Sequence, residues 1–246
     1  MLIPALIAFT LATVLPDAVR GQSPRLFPDG IMVGDVTESR AIVWTRTGGP
    51  STVRVEYGTT PAALGQATPP VQTAAGSDYV AKIDLVGLRP GTRYYYRASA
   101  DAERQRAASL EGTFVTAPSA AENVNITLAW GADLSERFRP FRIFDAIRAR
   151  QPDHFLFLGD TVYADIDGNA RTIDEYRSAY RRNRDDDAFL RFVRSAAVYA
   201  IWDDHEVSNN FDSRHARIPI GRQAFLEYWP IRSDATDPHR LYRSFR

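Results

Sequence analysis

The chain has 246 residues and a mass of 27.5 kDa, with 30 basic against 30 acidic side chains, a pI near 6.9, four histidines and no cysteine. A disulfide scaffold, a thiolate zinc module and a cysteine nucleophile are excluded, and zero net charge argues against a generally basic nucleic-acid binder. Hydrophobic residues at 44% and charged residues at 24% fit an ordinary globular protein of one or two domains; Lys82 is the only lysine, which reads as compositional bias.

Met1 to Leu15 is apolar and carries no charged side chain. It is shorter than the roughly 20 residues of a membrane-crossing helix and fits the apolar region of a secretory signal, with Val19 and Gly21 at the −3 and −1 positions of a cleavage site. Its n-region offers only the α-amine. Residues 1–21 are expected to be a signal peptide, no transmembrane span is expected, and the protein is expected to be exported to a periplasmic or extracellular compartment. An absence of cysteine is compatible with that setting.

From Gly30 to Pro118 short apolar runs alternate with turn residues. Strands are predicted at 30–35, 40–45, 53–57, 81–85, 88–97 and 112–116, with a Pro-rich loop over 58–76. Short strands at turn-marked spacing predict an all-β sandwich over residues 22–118. The string Leu88-Arg-Pro-Gly-Thr-Arg-Tyr94-Tyr-Tyr resembles the fibronectin type III hallmark. That resemblance implies a tyrosine corner at Tyr94, while Trp44 is assigned to the core.

Residues 116–122, small and polar, read as a linker, and beyond them the pattern changes. Asn125–Trp130, His154–Leu158 and Ala197–Trp202 are apolar runs of the kind buried on both faces; helices are predicted over 140–150 and about 174–194, the latter turning Tyr176, Tyr180, Phe189 and Phe192 inward. Strands separated by helices predict a parallel α/β sheet over 119–246.

Each of these three strands ends in acidic residues: Asp133; Asp160 with Tyr163 and Asp165; and Asp203-Asp204-His205-Glu206. Ligands of open α/β sheets lie beyond the carboxyl ends of the strands, and crowded carboxylates repel unless a cation lies between them. Oxygen-rich clusters suit hard cations. Acidic residues at strand ends also cap helices or face water, so the succession of three is what points to a site.

Gly159-Asp160-Thr-Val-Tyr163 resembles the GDxxY block of calcineurin-like metallophosphoesterases. Trp202-Asp-Asp-His-Glu-Val-Ser-Asn209-Asn210 resembles the WDDHExxNN block of the alkaline phosphatase D (PhoD-like) family, as do Val33-Gly34-Asp35, Ile42-Val-Trp-Thr-Arg46 and Leu241-Tyr-Arg-Ser-Phe245. The resemblance implies a binuclear centre, ferric iron with calcium or another divalent ion, that hydrolyses phosphate mono- or diesters. Asp133 and Tyr163 would bind the first metal, Asp160 would bridge and Asp204 would bind the second metal. His205 would contact phosphate and protonate the leaving alkoxide, with Glu206 and Asn209 in support.

The chain departs from the pattern in two ways. Many members carry a cysteine near the first strand end, where this sequence offers Asp133. The superfamily's later His- and Asp-containing ligand blocks do not appear before Arg246. The chain is therefore expected to be the front part of such an enzyme, inactive alone. Alternatives are a purple acid phosphatase-like enzyme and a non-catalytic remnant acting as a binding module. His215 and His239 are expected at the surface, and His154 is assigned a structural role. Asp185-Asp186-Asp187 reads as a solvated loop.

Overall fold

The computed structural model describes residues 26–102, 105–232, 234 and 236–244; the expected signal peptide lies outside them. The first half supplies β1 (Ile31–Gly34), β2 (Arg40–Arg46), β3 (Thr52–Gly58), β4 (Gln66–Ala67), β5 (Val71–Gln72), β6 (Val80–Val86), β7 (Arg93–Ala102) and β8 (Gln105–Val115). The second supplies β9 (Leu128–Gly131), α1 (Ile143–Ala149), β10 (His154–Leu158), α2 (Ala164–Asp167), α3 (Ile173–Arg184), α4 (Asp187–Val193), β11 (Ala197–Ile201) and α5 (Ile218–Tyr228).

These strands pair into two sheets. One runs β4-β3-β7-β8 with β5 on the flank of β3; the other, six-stranded, runs β6-β2-β1-β11-β10-β9 and crosses from one half of the chain to the other. The crossing is a parallel pairing of β1 with β11, Val33 opposite Ala197 and Gly34 opposite Val198. Successive side chains of a strand point to opposite faces. Accordingly Ile31, Val33, Ala41, Val43 and Ala197 join the core shared with β3, β7 and β8, while Met32, Trp44, Val198 and Ala200 join the core under the helices. At Gly34 a Cβ would come within 2.4 Å of the Val198 carbonyl and of Pro230, so glycine is what permits the strand contact.

Within the first half the Arg89 N–H donates to the Tyr94 hydroxyl at 3.0 Å, the tyrosine corner expected from the sequence, and Tyr94 and Tyr96 are buried while Tyr95 is half-buried. The segment expected as loop between β3 and β6 contains the two short strands β4 and β5, both paired to β3.

In the second half β9, β10 and β11 are parallel as predicted. Besides the short α2, three elements differ from the sequence reading. Residues 125–130 were expected to be buried, yet β9 is the edge of its sheet among the described residues, Leu128 and Trp130 are exposed, and Trp130 retains 65% of its surface. The single helix expected around 174–194 is two, because the Asp186 carboxylate caps α4 through the Phe189 N–H at 2.9 Å and also accepts the Phe141 N–H at 2.9 Å. Helix α5, unforeseen, starts at a proline-containing first turn and buries Ala224, Phe225 and Tyr228. The four aromatic residues expected to face inward are buried.

Lys82, the lone lysine, has a structural address. From β6 its ammonium donates to the Leu226 and Ile231 carbonyls at the end of α5. Burial pulls its pKa down to about 8, against the pull of Glu227 and Asp35. Between about pH 8 and the unfolded value of 10.5 the unfolded chain holds a proton that the native state lacks, so stability rises with pH across that window and the penalty is complete below it. Urea titrations should show wild type gaining about 3 kcal/mol relative to K82M between those limits; parallel curves would contradict it. Gly34→Ala should lower stability by about 2–3 kcal/mol through overpacking at the β1–β11 contact, measured by the same titrations.

Candidate metal centre

The carboxyl ends of β10 and β11 are held together by one buried side chain. Glu206 is fully buried and accepts four hydrogen bonds: from Asp160 N–H at 3.1 Å, Thr161 N–H at 2.6 Å, the Thr161 hydroxyl at 2.7 Å and Asp203 N–H at 2.9 Å. Burial pushes its pKa up to about 7, opposed by these donors. Gly159 makes the approach possible. Its φ is +101°, and a Cβ there would lie 2.5 Å from the Asp203 Cβ.

The two aspartates that follow strands β9 and β10 both take left-handed backbone, Asp133 at φ +61° and Asp160 at φ +51°, a conformation that aspartate tolerates better than most residues. Three groups converge beside the second of these turns. Ligand atoms of Asp160, Asp204 and His205 lie within 4.8 Å of one another. Asp160 Oδ1 accepts the His205 N–H at 3.2 Å, and Asp204 Oδ2 accepts the Asn210 N–H at 2.5 Å. Burial first, then the neighbouring carboxylates, hold the Asp160 carboxyl above its ordinary range.

Asp133 and Tyr163 form the second part of the site. The Tyr163 hydroxyl donates to Asp133 Oδ1 at 2.9 Å, and its ring lies 4.3 Å from that of His205. Desolvation and Asp133 both raise the phenol pKa, so without a cation Tyr163 is a protonated donor. Asp133 itself is exposed and is joined to the converging trio through Tyr163. A cavity of about 540 Å³ beside Asp133 and Thr161 is walled by Phe141, Phe144 and Phe155, but neither Asp204 nor His205 lines it; the convergent charges stand on the open rim of the sheet.

Two of the expected supporting residues act differently from each other. Glu206 is the clamp described above, whereas Asn209 takes part through its backbone N–H, which donates to Asp165 Oδ2 at 2.6 Å. Asp165 also meets His205 Nδ1 at 2.9 Å and was given no role from sequence; its position in the turn after Tyr163 was the available signal. Burial lowers the His205 pKa, but the Asp165 contact and the surrounding carboxylates outweigh it and the net shift is upward. His154 is buried at the start of β10, and His239 is exposed.

The PhoD-like phosphatase model matches residues 128–246, and the model for the N-terminal domain of the same family matches residues 13–118. Alkaline phosphatase D of Bacillus subtilis (strain 168) is 26% identical over 194 residues, covering 66% of this chain but 32% of that protein. A solved structure of PhoD superposes with a TM-score of 0.75 at 22% identity, over 91% of this chain and 50% of the other. Purple acid phosphatase PPD1 from yellow lupin (Lupinus luteus) seeds gives 0.56 at 12% identity, over 87% and 42%. The chain thus spans about a third of the curated relative and half of the solved PhoD chain. Among the described residues no helix is long and apolar enough to cross a membrane.

Glu206→Ala would leave its buried donors unpaired and should destabilise the protein by about 3–5 kcal/mol, whereas Thr161→Ala, which removes one donor, should cost about 1 kcal/mol. Chemical denaturation measures both; equal effects would refute the clamp.

Proposed function

Because the chain belongs to the PhoD-like phosphatase family, we propose that its strand ends hold the metal centre of a hydrolase acting on phosphate mono- or diesters. The observation that carries this reading is the convergence of Asp160, Asp204 and His205. Their hydrogen-bond partners are backbone N–H groups and the Asp165 carboxylate, so the local negative charge calls for a bound cation. Hard oxygen donors fit calcium or a similar divalent ion at Asp160 and Asp204. Tyr163 with Asp133 offers a phenol–carboxylate pair suited to ferric iron once the phenol is deprotonated.

In this reading Asp133, Tyr163 and Asp160 would hold the first ion, and Asp160 and Asp204 would hold the second. Bound cations supply charge neutralisation for the phosphoryl group and Lewis acidity. His205 holds a proton for the leaving oxygen, and Glu206 keeps the two strand ends in register beneath them. Residues 1–21 are read as the leader of an exported protein, 22–118 as a fibronectin type III-like sandwich and 119–246 as part of an α/β metallophosphoesterase domain.

Metal titration tests the centre directly. Asp204→Ala should weaken calcium binding by about 10- to 100-fold, a loss of the size seen when metal sites are disturbed. Ferric loading should give a tyrosinate absorption band that Tyr163→Phe abolishes. Persistence of the band, or wild-type calcium affinity no better than that of an Asp160→Asn/Asp204→Ala variant, would overturn the assignment. Metal-dependent turnover of p-nitrophenyl phosphate against bis(p-nitrophenyl) phosphate decides the ester class.

A further inference from the structure

Asp165, one residue into α2, is committed on both sides. Its side chain is 6% exposed, with Oδ1 2.9 Å from His205 Nδ1 and Oδ2 accepting the Asn209 N–H at 2.6 Å. His205 is thereby fixed in three ways: Nδ1 on Asp165, its ring over Tyr163 at 4.3 Å, and Nε2 turned to Asp204 Oδ1 at 3.9 Å. An ionised carboxylate only accepts hydrogen bonds, and a neutral imidazole carries one N–H. The Asp165 contact therefore requires that proton on Nδ1, leaving the Nε2 lone pair directed into the cluster.

We propose that Asp165 is a positioning residue for this centre: it sets the Nδ1–H tautomer of His205 and makes Nε2 the nitrogen presented to metal or phosphate. In either charge state of the ring Nδ1 keeps its proton and donates it to Asp165, so a proton exchanged with the site passes through Nε2. The tautomer stands on geometry alone; its consequence for turnover rests on the phosphatase reading above. The Asn209 contact gives Asp165 a second task, bracing the loop that carries His205. Two substitutions grade the loss: Asp165→Asn keeps one acceptor oxygen, enough for His205 Nδ1–H at the expense of the Asn209 N–H, and Asp165→Leu removes both acceptors.

Long-range proton–nitrogen correlation spectra of the ¹⁵N-histidine-labelled, metal-free chain, at a pH where His205 is neutral, read the tautomer. Wild type and Asp165→Asn should show a protonated Nδ1 and an unprotonated Nε2; Asp165→Leu should lose that preference. An Nε2–H ring in wild type, or an unchanged Nδ1–H ring in Asp165→Leu, overturns the proposal. In metal-loaded protein, Asp165→Leu should lower kcat by about 10- to 100-fold for an alkyl phosphate, less for a nitrophenyl ester, with KM little changed and Asp165→Asn recovering most of the loss. Equal losses for both leaving groups would mark a loop brace and overturn the positioning role. A wild type that binds neither calcium nor ferric iron, yet shows the Nδ1–H tautomer, refutes the metal-centre reading while supporting the role of Asp165 in fixing the imidazole.

Discussion

The parallel pairing of β1 with β11 joins two runs of chain more than 150 residues apart in sequence and makes one six-stranded sheet of them. A sheet covered on both faces needs apolar side chains on both, and β1, β2 and β11 meet that requirement by sending alternate residues into two cores. The helical side is then locked over β2 and β6 by polar contacts at its margin. Trp44 Nε1 donates to the Glu227 carbonyl at 2.7 Å, Arg177 donates to the Glu227 carboxylate at 2.8 Å and to the Gly76 carbonyl at 2.7 Å, and Asp78 accepts from Arg46, Arg181 and Tyr228. Arg184, buried with rings of Trp44, Tyr180, Tyr228 and Trp229 about its guanidinium, sits at the centre of this contact. Burial draws its pKa down to about 10, which leaves it charged at neutral pH and favoured by the ring faces. The N-terminal half is thus a wall of the C-terminal half.

That support matters because the site concentrates unfavourable features. Two aspartates adopt left-handed backbone, Gly159 brings two strand ends into near contact, and several carboxylates crowd one rim. Such strain persists only where the surroundings over-determine it. Glu206 performs that task with four hydrogen bonds, which is why it is unavailable to a metal even though it belongs to the same acidic string as Asp204. Saturation with donors separates this structural carboxylate from those of Asp160 and Asp204.

This separation explains what the sequence disclosed and what it withheld. Period-two alternation located β3 and β6 to within a residue or two, and the Leu88–Tyr96 string disclosed the tyrosine corner, because both are local. The acidic strand ends were visible since parallel α/β sheets place ligands there by rule. Pairing of β1 with β11 was not visible, because register between distant strands depends on packing rather than periodicity. The exposure of β9 was missed for a related reason: an apolar run reports what a strand is made of, not whether a neighbour covers it. The role of Asp165 escaped because its meaning lies in the distance to His205, 40 residues away in sequence.

The limits of motif reasoning are clearest in a pair of identical dipeptides. Gly34-Asp35 ends β1 and Gly159-Asp160 ends β10; the strands point the same way through β11, and both aspartates have positive φ, +48° and +51°. Local sequence and local backbone therefore agree, but the chemistry does not. The Asp35 carboxylate is buried against two guanidinium groups, accepting from Arg232 and from Arg243 at 2.8 Å each. Its charge is already neutralised, so it serves to tie the C-terminal segment to the sheet. The Asp160 carboxylate meets the His205 backbone N–H, the His205 imidazole and other carboxylates. What separates the two strand-end aspartates is the pair of guanidinium groups that closes on Asp35, a property set by residues nearly 200 positions away and by the fold that carries them there.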